Sequence, residues 1–222
     1  LFIRTVQRYF MKIALCLSGQ PRSYTAGFES IRDHFLSKYD CDVFIHTWHS
    51  PELVGHLYDT THNGSVNLSG RIEKNTVENV INLYRPISCI VDRPINFDYN
   101  LHFTSKNLRE GVNPQSIFSM FYSLMKANEL KTLHEIRTKS LYDFVVRLRF
   151  DLKFSRELDL HSFDKEKLYT ISSGNPEVHY DIFGFGNTEL MNYYSNVYNV
   201  LDKIWNPDKH FIGEMLLTDA LI

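Results

Sequence analysis

In the segment Asp143-Phe-Val-Val-Arg-Leu-Arg-Phe-Asp-Leu-Lys-Phe154, three apolar residues follow Asp143, and charged and apolar residues then alternate. Its apolar beginning is typical of a central strand that leaves the core. Alternate side chains of a strand share a face, so Arg147, Arg149, Asp151 and Lys153 are expected on one surface. Guanidinium groups bind phosphate oxygens in pairs, and a carboxylate can hold a divalent cation between two phosphates. This pattern predicts a diphosphate and metal site; a strand with one solvated face is the alternative.

A second candidate site is the loop Ser18-Gly-Gln-Pro-Arg-Ser-Tyr24, which follows an apolar run and precedes a helical pattern. Backbone N–H groups in such a loop and at the helix N-terminus form a natural anion site. Ser18, Gly19, Gln20 and Arg22 are therefore candidate nucleotide-binding residues. Gly19 permits close approach of the backbone, and Arg22 can reach a phosphate or the base. An ordinary turn with a Pro and a Gly is the alternative.

A third candidate is Trp48, at the end of the apolar segment Asp42-Val-Phe-Ile-His-Thr-Trp48. The carboxyl ends of parallel strands lie at one edge of a sheet, where ligands bind in α/β folds. Trp48 is therefore expected to lie near the nucleotide, where its ring can stack. The alternative is that Trp48 is a core aromatic.

Predicted strands and helices alternate along the chain, which indicates an α/β fold. The first two strands are joined by a helix, so parallel pairing with a right-handed crossover is expected. The segment 51–70 has no clear period and predicts a long loop. The predicted strands are 12–17, 42–48, 87–91, 143–154, 168–171 and 180–185, and the predicted helices are 25–39, 72–83, 116–138, 188–204 and 211–222.

Composition indicates one folded domain. The chain has 222 residues, of which 43% are hydrophobic and 23% charged, as in ordinary globular proteins. A net charge of -2 argues against a nucleic-acid partner, and the absence of an apolar run near the ~20 residues that span a bilayer argues against an integral membrane segment. Three cysteines without C-x-x-C spacing predict free thiols and a cytoplasmic location. Residues 1–10 precede Met11 and are interpreted as an upstream remnant or a tag, which leaves 11–222 as the domain.

Four sequence blocks, taken in order, resemble the small GT-A-type glycosyltransferases of surface-polysaccharide gene clusters, large DNA viruses and phages. The blocks are 15–24, 42–48, 119–128 and 145–151, and the resemblance extends from Met11 to about Glu214. It implies a GT-A-like, Rossmann-like single domain with a mixed, mainly parallel sheet flanked by helices. It also implies transfer of a sugar from a nucleoside-diphosphate sugar to a glycan or other hydroxyl acceptor, in the host cytoplasm if the protein is viral.

The resemblance also implies a metal cofactor. In the GT-A fold an Asp-x-Asp at the end of a strand ligates Mn²⁺ or Mg²⁺ on the donor diphosphate. The matching position is Arg149-Phe-Asp151, where Arg149 replaces the first Asp. Asp151 is then the implied metal ligand, and Arg149 can share in neutralising the diphosphate.

Sugar transfer requires a carboxylate near the anomeric carbon, as a general base, a nucleophile or an ion-pair stabiliser. Asp181 and Glu214 are the candidates. Asp181 opens the apolar strand Asp-Ile-Phe-Gly-Phe-Gly186, whose start is expected close to the sugar in a GT-A sheet. Glu214 follows His210 by four residues, so in a helix both share a face, and they could supply a base or, through His210, a further metal ligand. A solvated helix face is the alternative.

Two other classes of function remain open. Pro21-Arg-Ser-Tyr-Thr25 resembles the loop that grips the 5′-phosphate of a sulfonucleotide, so a sulfotransferase-like enzyme without a metal is the main alternative. That alternative leaves the charged segment 147–151 unexplained. The aromatic content of 14% also permits a non-catalytic carbohydrate-binding domain, because ring faces stack on sugars.

Overall fold

The computed structural model describes residues 11–58, 70–99, 101–104, 106–108, 112–172, 174–175 and 178–221. Its strands are β1 (Lys12–Gly19), β2 (Asp40–Trp48), β3 (Ser88–Asp92), β4 (Phe144–Leu148), β5 (Tyr169–Ser172) and β6 (His179–Gly186). They form one sheet in the order β3-β2-β1-β4-β6-β5. β3, β2, β1 and β4 pair in parallel, whereas β6 is antiparallel to both β4 and β5. The prediction of a mixed, mainly parallel sheet in a single α/β domain is confirmed.

Helices cover both faces of the sheet. They are α1 (Tyr24–Ile31), α2 (Thr76–Tyr84), α3 (Pro114–Thr138), α4 (Thr188–Ser195), α5 (Leu201–Ile204) and α6 (Gly213–Leu221). α1 continues as a π-helical turn over Arg32–Leu36. The single helix predicted over 188–204 is wrong, because a 3-10 segment at Asn196–Val200 separates α4 from α5. Asn and Val are weak helix formers, which fits a break at this point.

Alternation along the strands divides the core into two layers. One layer packs under α3 and the C-terminal helices and includes Ala14, Cys16, Phe44 and Val145. The other packs under α1 and α2 and includes Leu15, Ile45, Val146 and Leu148. The three free cysteines predicted from the sequence are confirmed, and burial raises the pKa of the Cys16 thiol to about 12.

β4 is shorter than the strand predicted over 143–154. Pairing ends at Leu148, and the chain turns at Phe150 and Asp151, where the Leu152 N–H donates to the Arg149 carbonyl at 3.4 Å. The apolar half of the alternation still holds, because the layer under α1 contains the side chains of Leu148, Phe150, Leu152 and Phe154. Arg149 and Asp151 therefore lie on a turn at the sheet edge, where a side chain is more accessible than in a strand.

Some sequence predictions fall outside the described residues. Residues 1–10, interpreted as a remnant or tag, are outside them, as are residues 59–69 of the predicted loop. The described part of that loop contains a 3-10 turn at Pro51–Leu53 and a bridge between Leu57 and Arg71. Among the helices of the described residues, none combines the length and apolar character that crossing a bilayer requires.

Candidate functional site

The candidate site lies at the edge of the sheet where β1, β2, β3 and β4 all end. Their parallel pairing brings the loop after Gly19 and the turn after Leu148 side by side. β6 runs the opposite way, so its beginning, with Asp181, lies at this same edge. Ligands of open α/β sheets bind at such carboxyl edges.

Asp151 joins two of these elements through arginine side chains. Arg149 donates from Nε to Asp151 Oδ1 at 2.9 Å and from Nη2 to Oδ2 at 2.6 Å. Arg22, from the loop after β1, donates from Nε to Asp151 Oδ2 at 3.0 Å. Two predicted site segments that are far apart in sequence therefore meet on one carboxylate.

The electrostatics of this cluster favour an anion. Burial of the Asp151 carboxyl works to raise its pKa, but hydrogen bonds and charge from Arg149, with the charge of Arg22, hold the pKa below its usual range. Arg147 also feels the charge of Asp151. Two guanidinium groups thus contact one carboxylate, and a third lies within electrostatic reach, a surplus of positive charge that suits a diphosphate.

A glycine sets the distance between α1 and the turn that carries Asp151. A Cβ at Gly27 would lie 1.7 Å from the Phe150 carbonyl oxygen and 3.3 Å from the Asp151 Cα. Only glycine permits this approach. Gly27 was not among the residues predicted from the sequence, although an isolated Gly within a helical pattern is a signal of close packing.

Replacing Gly27 with Ala is expected to lower the free energy of unfolding by about 1–3 kcal/mol or more, because backbone must move to admit the methyl group. This loss should appear although Ala favours helix over Gly by about 1 kcal/mol. Urea denaturation measures it, with Thr25→Ala, an exposed position of the same helix, as the control. A Gly27→Ala protein as stable as the wild type would contradict this packing role.

Among the described residues, Asp151 and its neighbours do not form a complete metal site by themselves. Both Asp151 oxygens accept from arginines, and the described residues contain no group of three or more His, Cys, Asp or Glu placed to hold a metal. An ion such as Mg²⁺ is often held by one or two carboxylates together with substrate phosphates. Asp151 is the carboxylate of this cluster that could act in that way.

The loop after β1 is fixed by neighbouring strands. The Gly19 N–H donates to Ser123 Oγ at 2.8 Å, and its carbonyl accepts from Thr47 Oγ1 at 2.9 Å. The Gly19 N–H is therefore engaged within the protein. At the start of α1, by contrast, Ser23 has φ 50° and its side chain does not cap the helix. Gln20, in the same loop, is half-buried.

Sequence reasoning did not foresee a buried network behind this loop. His46 Nδ1 lies 2.7 Å from Ser123 Oγ, and its Nε2 lies 3.0 Å from Asp92 Oδ2. Burial lowers the pKa of His46 although Asp92 opposes this, so a neutral ring donates from Nε2 to Asp92 and accepts from Ser123. The Ser123 side chain is 0% exposed and already accepts from Gly19. The network therefore positions the loop, and its serine is not placed to act as a nucleophile.

Trp48 lies in the core. Its side chain is 8% exposed and packs against His46, Phe97 and Tyr122, with ring centroids 4.9, 6.4 and 5.6 Å away. This burial favours the core alternative over the predicted stacking on a nucleotide.

Arg147 is buried, whereas the sequence placed it on a diphosphate-binding surface. It is 1% exposed because it lies within β4, paired with Cys16 on one side and Gly184 on the other. Burial lowers its pKa, while Tyr194 and Asp181 act in the opposite direction. Arg147 thus lies under the Asp151 cluster and towards β6.

Asp181 occupies the other end of the site, as the antiparallel pairing of β6 requires. It is 8% exposed, and a Cβ at Gly213 would lie 2.5 Å from its Oδ2, so the carboxyl touches the start of α6. Burial and the negative charge of Glu214 raise the pKa of Asp181 to about 6, although Arg147 and Arg149 oppose them. A carboxyl with a strongly perturbed pKa in a site of this kind is a candidate acid or base.

Glu214 lies in the first turn of α6, close enough to Asp181 to affect it. The predicted helix face shared by His210 and Glu214 is wrong, because α6 begins only at Gly213. His210 precedes the helix, and its buried Nδ1 has no hydrogen-bond partner within the described residues. The structure therefore brings Glu214 to Asp181 and does not bring His210 to Asp151 in a metal-holding group.

Comparisons with known proteins do not identify a family for this chain. No protein-family model matches it, and no curated protein matches it at a significant level.

Proposed function

We propose that this chain is a GT-A-type glycosyltransferase that transfers a sugar from a nucleoside-diphosphate sugar to a hydroxyl acceptor such as a glycan. The observation that carries the proposal is the Arg22–Asp151–Arg149 cluster at the shared ends of β1 and β4. It combines phosphate-binding guanidinium groups with a carboxylate at the edge where α/β sheets bind nucleotides. The nearby start of α1, without a side-chain cap, adds N–H groups that favour an anion.

The diphosphate of the donor is proposed to bind between Arg22 and Arg149. Its negative charge displaces part of the hydrogen bonding that Asp151 now receives, which leaves Asp151 oxygens for Mn²⁺ or Mg²⁺. Such an ion, when bound, stabilises the charge that develops on the leaving diphosphate. Arg149 shares this role because it stands where the resembling enzymes carry a second carboxylate.

Asp181 is proposed to act at the anomeric or acceptor side of the donor. It lies on β6 and Asp151 lies on the turn after β4, yet Arg149 is within electrostatic reach of both carboxyls. A pKa of about 6 suits a group that takes a proton from the acceptor hydroxyl near neutral pH. Glu214 contributes indirectly, because its negative charge raises the pKa of Asp181.

The main competing function is that of a sulfotransferase-like enzyme. It would use Arg22 and the loop after β1, but it offers no role for a carboxylate held between Arg22 and Arg149 or for the buried Asp181. A non-catalytic carbohydrate-binding domain likewise gives no reason for a carboxyl with a raised pKa at the sheet edge.

Isothermal titration calorimetry separates these functions. The ligands are UDP- and GDP-sugars and, as the competing set, 3′-phosphoadenosine compounds, each with and without Mn²⁺. Binding of a nucleotide sugar that strengthens with Mn²⁺ is the expected result. Metal-independent binding of the 3′-phosphoadenosine compounds alone would favour the sulfotransferase-like function, and binding of free sugars alone would favour the carbohydrate-binding domain.

A further inference from the structure

Several buried polar atoms at this edge of the sheet lack a hydrogen-bond partner within the described residues. They are Nε and Nη1 of Arg147, the hydroxyl of Tyr194 and Oγ of Ser18. Arg147, Tyr194 and Ser18 are each no more than 1% exposed. Buried polar groups are nearly always paired, and a buried cation without partners is costly. A partner for these atoms is therefore expected from outside the described residues, and a bound ligand can supply it.

These atoms lie together on one face of the sheet. Arg147 pairs with Gly184 in the β4–β6 ladder, and a Cβ at Gly184 would lie 3.1 Å from the Tyr194 ring. The Tyr194 ring therefore covers the strand position next to Arg147. Cys16 of β1 pairs with Arg147. Ser18 lies two residues after Cys16 in the same strand, so its side chain projects from the same face of the sheet as Arg147.

Asp181 and Arg147 are close but not paired. Each shifts the pKa of the other, and both affect the pKa of Tyr194. Among the ion pairs of the described residues, which extend to 4.0 Å, none joins these two side chains. A group that accepts hydrogen bonds from Arg147 and Tyr194 therefore has Asp181 as its neighbour.

The charges near Arg147 and Tyr194 indicate whether the ligand group that they bind is charged or neutral. Asp181 adjoins this position, and Glu214 lies close enough to Asp181 to raise its pKa, so an added carboxylate would meet like charges. A sugar hydroxyl is uncharged, accepts from Arg147 or Tyr194, and can donate in return. The position also adjoins the proposed diphosphate site, because Arg147 is within electrostatic reach of Arg149 and Asp151.

We propose that Arg147 and Tyr194 bind hydroxyl groups of the donor sugar, and that this sugar is uncharged. The inference rests on the proposed function and deepens it by assigning the sugar subsite and its class of substrate. It also replaces the diphosphate-binding role that the sequence predicted for Arg147. In this arrangement Arg22 and Arg149 bind the diphosphate, and Arg147 binds hydroxyl groups of the sugar.

The test compares the dissociation constants of nucleotides with those of the matching nucleotide sugars. Calorimetry with Mn²⁺ uses UDP, GDP, UDP-glucose, UDP-galactose, GDP-mannose and UDP-glucuronate. Arg147→Met is expected to weaken the nucleotide sugar by about 10- to 100-fold relative to the bare nucleotide, the loss typical for a charged hydrogen-bond donor. Tyr194→Phe removes only a hydroxyl and is expected to shift the same ratio by about 3- to 10-fold. The wild type is expected to prefer the uncharged sugars over UDP-glucuronate.

Any other result of this calorimetry contradicts a specific part of the proposal. Equal weakening of nucleotide and nucleotide sugar in Arg147→Met would make Arg147 a phosphate ligand. Unchanged ratios in both variants would mean that water alone satisfies these atoms, and a preference for UDP-glucuronate would overturn the uncharged class. If Arg147→Met does not fold, Tyr194→Phe decides between these results. A wild type that binds none of the six compounds overturns the proposed function, and the sugar subsite with it.

Discussion

Replacing Asp181 with Asn is expected to reduce the transfer rate by roughly 10²–10⁴, the scale for losing an acid-base group. The substitution removes a charge with little change in volume, and Asp181 lies on β6 rather than on the Arg22–Asp151–Arg149 cluster. Donor affinity is therefore expected to stay within a few-fold of the wild type. Steady-state kinetics and calorimetry on one protein preparation show whether rate and affinity separate in this way.

The same variant is expected to be more stable than the wild type at neutral pH. Folding raises the pKa of Asp181 from 3.8 to about 6, so the folded state prefers the protonated carboxyl. The stabilisation by that proton is complete below pH ~4 and is lost as the pH rises through about 6. At pH 7–8 the ionised Asp181 therefore destabilises the fold, and Asn should restore about 1–3 kcal/mol.

The pH dependence of the wild-type rate gives a further check on Asp181. As a base it must be ionised, so the rate is expected to rise through about pH 6, the pKa of this carboxyl, and then level off. Glu214→Gln is the matched control, because loss of its charge lowers the pKa of Asp181 and moves the rise to lower pH. If Glu214→Gln were inactive and Asp181→Asn nearly normal, the catalytic role would belong to Glu214. Normal rates in both variants would exclude both carboxyls.

Replacing Asp151 with Asn is expected to reduce kcat/KM by at least about 10²–10³, the scale for removing a group that stabilises charge in the transition state. The amide is a poor ligand for a hard cation, and Arg22 and Arg149 lose the carboxylate that orders them. Stimulation of wild-type activity by Mn²⁺ should disappear in the variant. Metal titration of both proteins measures this.

Asp164→Asn serves as the control for Asp151→Asn. Asp164 is exposed and lies away from the site, with its Oδ2 3.7 Å from Lys167 Nζ. The activity and the metal response of Asp164→Asn should therefore match those of the wild type. Full activity of Asp151→Asn, or of the wild type in excess chelator, would contradict the metal role. Tighter binding of a nucleoside diphosphate to Asp151→Asn would instead show that Asp151 only competes with phosphate for the arginines.

Local patterns predicted the parts of the site that depend on neighbouring residues in sequence. The alternation after Val146 correctly separates the apolar side chains of the layer under α1 from the charged ones. Parallel pairing of β1 and β2 follows from the helix between them. The antiparallel direction of β6, which carries Asp181 to the correct edge, was not derivable from its short apolar run.

Contacts between distant segments account for what sequence reasoning missed. Arg22 meets Asp151 because β1 lies next to β4, and 129 residues separate the two in sequence. The His46–Ser123–Asp92 network joins β2, α3 and β3, which no spacing rule connects. Arg147 was placed on a ligand-binding surface because alternate residues of a strand share a face with Arg149 and Asp151, whereas the β6 ladder and Tyr194 bury it.

Liberation of a nucleoside diphosphate from a nucleotide sugar tests the proposed activity most directly. Each UDP- and GDP-sugar is incubated with the protein and Mn²⁺, and the free diphosphate is quantified over time, with water or added glycans as the acceptor. The expected result is liberation from at least one uncharged donor, reduced by roughly 10² or more in both Asp151→Asn and Asp181→Asn. Absence of liberation from every donor, or equal liberation by wild type and both variants, would contradict a glycosyltransferase site at this edge of the sheet.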